Sequence, residues 1–166
     1  MHNVLPASSI DPTAFRELMG QFATGVCVVS AHAHGDELAG ITVNSFVSVS
    51  LDPLLIAWSV QNGSSQFDLW TKTDLFAVSI LADNHEAVAR RYASRGSSAL
   101  DPNDFSLSNG GLPVINGALG HLECQLWSLY PAGDHTMVFG EVIGIHQSFT
   151  GKPLGFFGGG FCQITE

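Results

Sequence analysis

The sequence predicts a mainly β chain, an antiparallel, Greek-key-like barrel with a few short covering helices. Three observations carry that prediction. Apolar runs of strand length recur along the chain and are separated by turn residues, so sequential hairpins dominate. Helical signals are few and short: one at the N-terminus and two inserted between strands. There is no regular βαβ alternation, which argues against a doubly wound parallel sheet.

The elements follow in order. Asp11-Pro12 reads as an N-cap followed by proline at the first helical position. Phe15, Leu18, Met19 and Phe22 then fall on one apolar helical stripe. Val26 to Ala31 reads as a buried strand, His32 to Glu37 as a turn, and Leu38 to Phe46 as the returning strand. Leu54 to Val60 is the next strand. Gln61-Asn62-Gly63-Ser64-Ser65 breaks it, and a short helix follows over Ser65 to Thr71. Leu75 to Leu81 is a continuous apolar strand. Asp83 or Asn84 caps a helix reaching Ala93, and Ser94 to Asp104 has loop composition. Leu119 to Tyr130 and Thr136 to His146 are long strands joined by Pro131-Ala132-Gly133-Asp134. A last strand over Phe156 to Ile164 is broken by Gly158-Gly159-Gly160. One domain over residues 1–166 is expected, with residues 1–11 as a flexible arm.

Composition narrows the function. Hydrophobic residues make up 45% of the 166 and charged residues only 13%. A soluble domain usually carries about a quarter charged residues, so part of the apolar surface is expected to lie in a homodimer interface. The formal net charge is −9 with six Lys and Arg, which argues against a nucleic-acid partner. No apolar run is long enough to span a bilayer, and MHNVLPASSIDP has neither part of a signal peptide. Cys27, Cys124 and Cys162 are odd in number and far apart, as expected of free thiols in the cytoplasm. His32 and His34 form an HxH pair with no further ligand in view, so no metal site is expected. Neither GxGxxG nor a Walker loop is present, so a nucleotide site must be of another design.

The stretch GITVNSFVSVSLDP, Gly40 to Pro53, mixes hydroxyls and β-branched residues in a way that suits neither a plain core strand nor a plain loop. It fits a surface where backbone amides and short side chains face a flat polar ligand. An edge strand with Ser and Thr on its solvent side is the other reading. Gly133-Asp134-His135 is either a hairpin turn with an exposed imidazole or a functional histidine.

Together with FATGVCVVS, LFAVSIL, ARRYA, GLPVINGALGHLEC and AGDHTMVFGEV, this stretch resembles the short-chain flavin reductases, the reductase components of two-component flavin-dependent monooxygenases. The likeness runs in register from Phe15 to Phe161. It implies an FMN-binding split β-barrel, a homodimer, FMN or FAD as cofactor and NADH or NADPH as electron donor. It further implies a transient oxygenase partner served by diffusing reduced flavin. By the same resemblance Thr42, Val43, Asn44, Ser45, Phe46, Ser48 and Val49 line the flavin ring and ribityl chain. Gly63, Ser64 and Ser65 would meet the phosphate at a helix start. Many members have a basic residue in that turn, whereas this chain has Ser64, Ser65 and Gln66. Arg95, with Arg91 second, is expected to supply the charge. His135 would sit on the nicotinamide side as the catalytic, substrate-positioning residue. The expected function is NAD(P)H:flavin oxidoreductase, and the alternative is a non-catalytic flavin-binding or electron-carrier protein of the same fold. A barrel that has lost flavin is the third reading.

Overall fold

The computed structural model describes residues 10–94, 99–148 and 150–165. Helix α1 (Pro12–Met19) is capped as expected, with Asp11 Oδ1 accepting from the Thr13 amide at 3.0 Å. Twelve strands follow. They are β1 (Thr24–Gly25), β2 (Cys27–His32), β3 (Leu38–Val43), β4 (Val47–Leu51), β5 (Leu54–Gln61) and β6 (Leu75–Ile80), then β7 (Phe105–Leu107), β8 (Pro113–Ile115), β9 (Gly120–Ala132), β10 (His135–Gln147), β11 (Leu154–Phe157) and β12 (Gly160–Gln163). Helix α2 (Phe67–Lys72) lies between β5 and β6, and α3 (Glu86–Ala93) follows β6 through a 3₁₀ turn.

Seven strands form one antiparallel sheet in the order β3-β2-β6-β9-β10-β5-β4. Its two edges, β3 and β4, are consecutive in the chain. A flat sheet of seven strands would hold its edges about 29 Å apart, six spacings of about 4.8 Å. The four Cα steps from Val43 to Val47 reach at most about 14 Å. The sheet must therefore curl until its edges approach, which makes it a barrel with one seam. Asn44, Ser45 and Phe46 form the corner that crosses this seam. Small sheets β1-β11-β12 and β7-β8 complete the structure.

The interior is built on three rings. Trp58 meets Trp70 edge-on with centroids 5.7 Å apart and Phe76 at 6.1 Å, and all three are fully buried. Trp70 thereby fastens α2 onto β5 and β6. Its indole N–H donates to Gln66 Oε1 at 3.0 Å. A second cluster, including Val26, Leu81, Ala89, Tyr92, Leu100 and Leu154, seats α3 against the other end. The Tyr92 hydroxyl donates to Asp104 Oδ2 at 2.5 Å and accepts from the Asp101 amide at 3.0 Å, which pins the chain after α3. Burial first, and then that bond to Asp104, push the phenol up to about 12. Burial also pushes the Cys27 and Cys124 thiols up to about 12, so both remain unreactive thiols near neutrality.

Some expected elements differ from those found. The expected strand to Phe46 stops at Val43, because the backbone leaves the sheet at the corner. VSVSL is a strand in its own right, paired with β5 through the turn at Asp52-Pro53. Strands β1, β7 and β8 are too short to carry a periodic signal. The α1 stripe is on the outside: Phe15, Leu18, Met19 and Phe22 are 56%, 64%, 48% and 74% exposed, so the helix buries nothing within its own chain. Most of the expected arm lies outside the described residues, and no helix among the described residues is long and apolar enough to cross a membrane.

Gly140 is a tight point of the interior. A Cβ there would stand 2.6 Å from Phe76 Cζ and 3.1 Å from Cys124 Cβ. Gly140→Ala should therefore lower stability by about 1–3 kcal/mol through overpacking. Chemical denaturation would measure it, and an unchanged midpoint would show that Phe76 can yield.

Candidate flavin site

Two clefts flank the corner. The first, of 720 Å³, is lined by residues 41–45 of β3 and the corner, by 59–61 of β5, by the turn 63–66, by 92–94 at the end of α3, and by His135. The second, of 1150 Å³, lies between α1, the corner from Asn44 to Val47, and the β11–β12 turn. Asn44 and Ser45 are the residues common to both.

The first cleft presents backbone donors. Among the described residues the amides of Asn44, Ser45 and Phe46 donate to no protein acceptor, and neither do those of Gly63 and Ser65. Ser45 Oγ accepts from the Ser59 amide at 3.0 Å, which holds the corner against β5. Thr42 Oγ1 donates to the Ala89 carbonyl at 2.7 Å, so that hydroxyl joins β3 to α3 and keeps only its acceptor capacity for a ligand. Ser64 Oγ accepts from the Gln66 amide at 3.2 Å. A Cβ at Gly63 would meet nothing within 4 Å, so there is room beside this turn for a bulky group. Helix α2 starts at Phe67 and is six residues long. The donors facing an anion are therefore turn amides before the helix, and not the first turn of the helix itself.

His135 opens β10 opposite Gln61. Gly133, at φ +66°, supplies the left-handed residue that this tight turn needs. Asp134 Oδ1 lies 2.7 Å from His135 Nδ1. This bond and the imidazole charge hold the Asp134 carboxyl below the usual carboxylate range, and the Arg16 charge adds to the effect. With its Nδ1 proton donated to Asp134, the ring keeps Nε2 as an acceptor, and as an imidazolium it donates from both nitrogens.

Asn62, which the sequence reading passed over as part of a break, joins the two turns. Its amide donates to the Asp134 carbonyl at 2.9 Å, its Nδ2 donates to the Gly133 carbonyl at 3.2 Å, and its Oδ1 accepts from Thr136 Oγ1 at 2.8 Å. One side chain thus sets the distance between Gly63-Ser64-Ser65 and His135. No short motif announces such a role, since the partners lie 71 and 74 residues away.

Of the residues expected at a flavin, Thr42, Val43, Asn44, Ser45, Gly63, Ser64, Ser65 and His135 gather around the first cleft. Phe46 lines the second. Ser48 and Val49 lie on edge strand β4 and line neither. Arg95 lies outside the described residues. Arg91, the second candidate, is engaged elsewhere: its guanidinium pairs with Asp104 and, at 3.4 Å, with Asp101. Arg90 pairs with Glu86 and lies 5.0 Å over the Phe161 ring. Of the HxH pair, His32 Nε2 is 2.9 Å from the Gly111 carbonyl oxygen. Among the described residues no three His, Cys, Asp or Glu side chains converge.

A seven-stranded antiparallel barrel with amides left open at its seam is the architecture of a class of flavin-handling proteins, and comparison with known proteins gives the family. Residues 19–165 match the flavin reductase like domain, and the chain belongs to that family. It is 40% identical over 154 residues to the FMN reductase (NADH) SmoA of Agrobacterium fabrum, covering 92% of this chain and 86% of that one. It is 31% identical over 158 residues to HsaB of Rhodococcus jostii, the reductase subunit of a flavin-dependent monooxygenase, covering 95% and 80%. The Streptomyces globisporus NADH:FAD oxidoreductase SgcE6, solved in complex with NAD and FAD fragments, superposes with a TM-score of 0.88 at 36% identity over 98% of this chain and 96% of that one. The fold is thus that of flavin reductases of the split-barrel type.

Asn62→Ala should loosen both turns at once. It removes two side-chain hydrogen bonds, about 1–3 kcal/mol together, and flavin affinity measured by fluorescence quenching should fall severalfold. Wild-type affinity in the variant would show that the turns hold their spacing without Asn62.

Proposed function

We propose that this chain is a single-domain NADH-dependent flavin reductase that delivers reduced flavin to a separate oxygenase. The observation that carries the reading is the first cleft: four backbone amides, of Asn44, Ser45, Gly63 and Ser65, unbonded among the described residues, with His135 at its rim, beside a second cleft that shares one wall. When bound, flavin supplies the hydride-accepting chemistry, and little acid–base help is asked of the protein. The residues present fit that group. The corner amides of Asn44, Ser45 and Phe46 face the polar edge of the ring system. The Gly63 and Ser65 amides, with the two serine hydroxyls, would hold the phosphate. His135, held by Asp134, orients the donor's carboxamide or holds a proton near the ring.

The named relatives favour NADH as donor, and they include both FMN and FAD reductases. Those described as reductase subunits of monooxygenases favour an oxygenase partner. A flavin held largely by neutral donors leaves readily, as delivery to a separate enzyme requires. We also infer a homodimer. Its support is the apolar outer surface, where Leu51 is 88% exposed, Tyr130 66% and Ile145 60%. Single exposed apolar side chains are ordinary, but strands β4, β9 and β10 carry eight large ones.

Purified protein should consume NADH only when FMN, FAD or riboflavin is added, and His135→Ala should slow that turnover more than it weakens flavin binding. Flavin bound without turnover would move the protein to the carrier reading. Light scattering should give a mass of about twice the 17.6 kDa chain, and a monomer at micromolar concentration would remove the dimer.

A further inference from the structure

The second cleft is unlike the first. Phe15, Met19, Phe22, Phe46 and Phe156 make it apolar, and one guanidinium, that of Arg16, and one carboxylate, that of Glu17, stand among them. Among the described residues Arg16 is the one Lys or Arg that lines either cleft. The other described cations are committed or remote. Lys72 pairs with Asp68, Arg90 with Glu86, and Arg91 with Asp101 and Asp104, while Lys152 lines neither cleft. Arg16 makes no ion pair among the described residues. Its charge is nevertheless felt at Asp134, the residue that holds His135. Arg16 thus faces the second cleft within electrostatic reach of the catalytic turn in the first.

We propose that Arg16 recognises the pyrophosphate of the nicotinamide dinucleotide, which lies in the second cleft with its nicotinamide end at the Asn44–Ser45 wall. The proposal rests on the flavin reductase reading of the first cleft. Hydride transfer brings the reacting atoms to about 3–3.5 Å, so the donor site must adjoin the acceptor site, and the two clefts meet at Asn44 and Ser45. Aromatic walls suit flat nicotinamide and adenine rings. A guanidinium pairs two-pronged with phosphate oxygens and is more weakly hydrated than an ammonium. In a chain of net charge −9 a dianion meets repulsion nearly everywhere, so a single well-placed cation has a large share in drawing it in. Helix α1, which buries nothing in its own chain, then has a purpose for its exposed apolar side: Phe15, Met19 and Phe22 form the donor's wall.

The test uses Arg16→Ala and Arg16→Lys in the full chain. NAD⁺ titrated calorimetrically onto flavin-saturated protein should bind about 10–100-fold more weakly to Arg16→Ala, and Arg16→Lys should recover part of the loss. Flavin affinity should change little. In turnover, the KM penalty should be large with NADH and much smaller with 1-benzyl-1,4-dihydronicotinamide, which has no phosphate. The penalty should also shrink as ionic strength rises. Unchanged NAD⁺ affinity overturns the proposal. So does an equal loss of flavin affinity, which would assign Arg16 to the flavin, or a variant that turns monomeric, which would assign it to a second copy of the chain. Wild-type protein that binds no NAD⁺ also overturns it. Wild-type protein that binds NAD⁺ through Arg16 yet reduces no flavin would instead defeat the reductase reading and leave the Arg16 contact standing.

Discussion

The structure depends on the closure of one sheet by a three-residue corner. Because β3 and β4 are neighbours in the chain and opposite edges of the sheet, Asn44, Ser45 and Phe46 must leave the hydrogen-bonded ladder in order to cross the seam. Among the described residues their amides are thereby left without protein acceptors. Buried backbone donors are nearly always paired, so open ones are tolerated only at a surface, facing water or a ligand. The feature that closes the barrel is the feature that leaves these donors open. The Trp58–Trp70–Phe76 cluster keeps that surface in place, since it locks α2, and with it the Gly63-Ser64-Ser65 turn, to the strands behind the corner.

The two clefts differ in polarity. One is lined by amides, hydroxyls and an imidazole; the other is largely aromatic. A cofactor exchanged on every cycle needs specific but modest contacts, and neutral donors provide them without the deep well that several cations around a phosphate would make. Asn62 shows how much of such a site is positioning. It need not touch a ligand, yet it sets where the Gly63-Ser64-Ser65 turn stands relative to His135.

The sequence was most informative about elements whose signal is local. The Asp11-Pro12 cap, the apolar runs of β2, β5 and β6, the Gly133 turn and the long β9–β10 hairpin each follow from a few adjacent residues. Residues expected at the cofactor gathered in one place where they belong to turns and the corner: Asn44, Ser45, Gly63, Ser64, Ser65 and His135. Other residues stand elsewhere because of contacts that are not local. Ser48 and Val49 look like a continuation of the same surface, but they follow Val47 along edge strand β4 and line neither cleft. Arg91 looked free to meet an anion, but Asp101 and Asp104 fold back onto it.

By itself, the sequence determined that the chain is mainly β and that its strands pair through hairpins, and its blocks carried the resemblance to flavin reductases. Periodicity, turn chemistry and motif spacing are local properties and survive in one dimension. Only the tertiary structure decided that β3 and β4 are opposite edges of one sheet, that Asn62 spans from one turn to the other, that α1 lies with its apolar stripe outward, and that Arg16 stands beside the second cleft. Each of these depends on which distant residues become neighbours when the sheet closes, and that closure is a property of the whole set of strand pairings and not of any one segment.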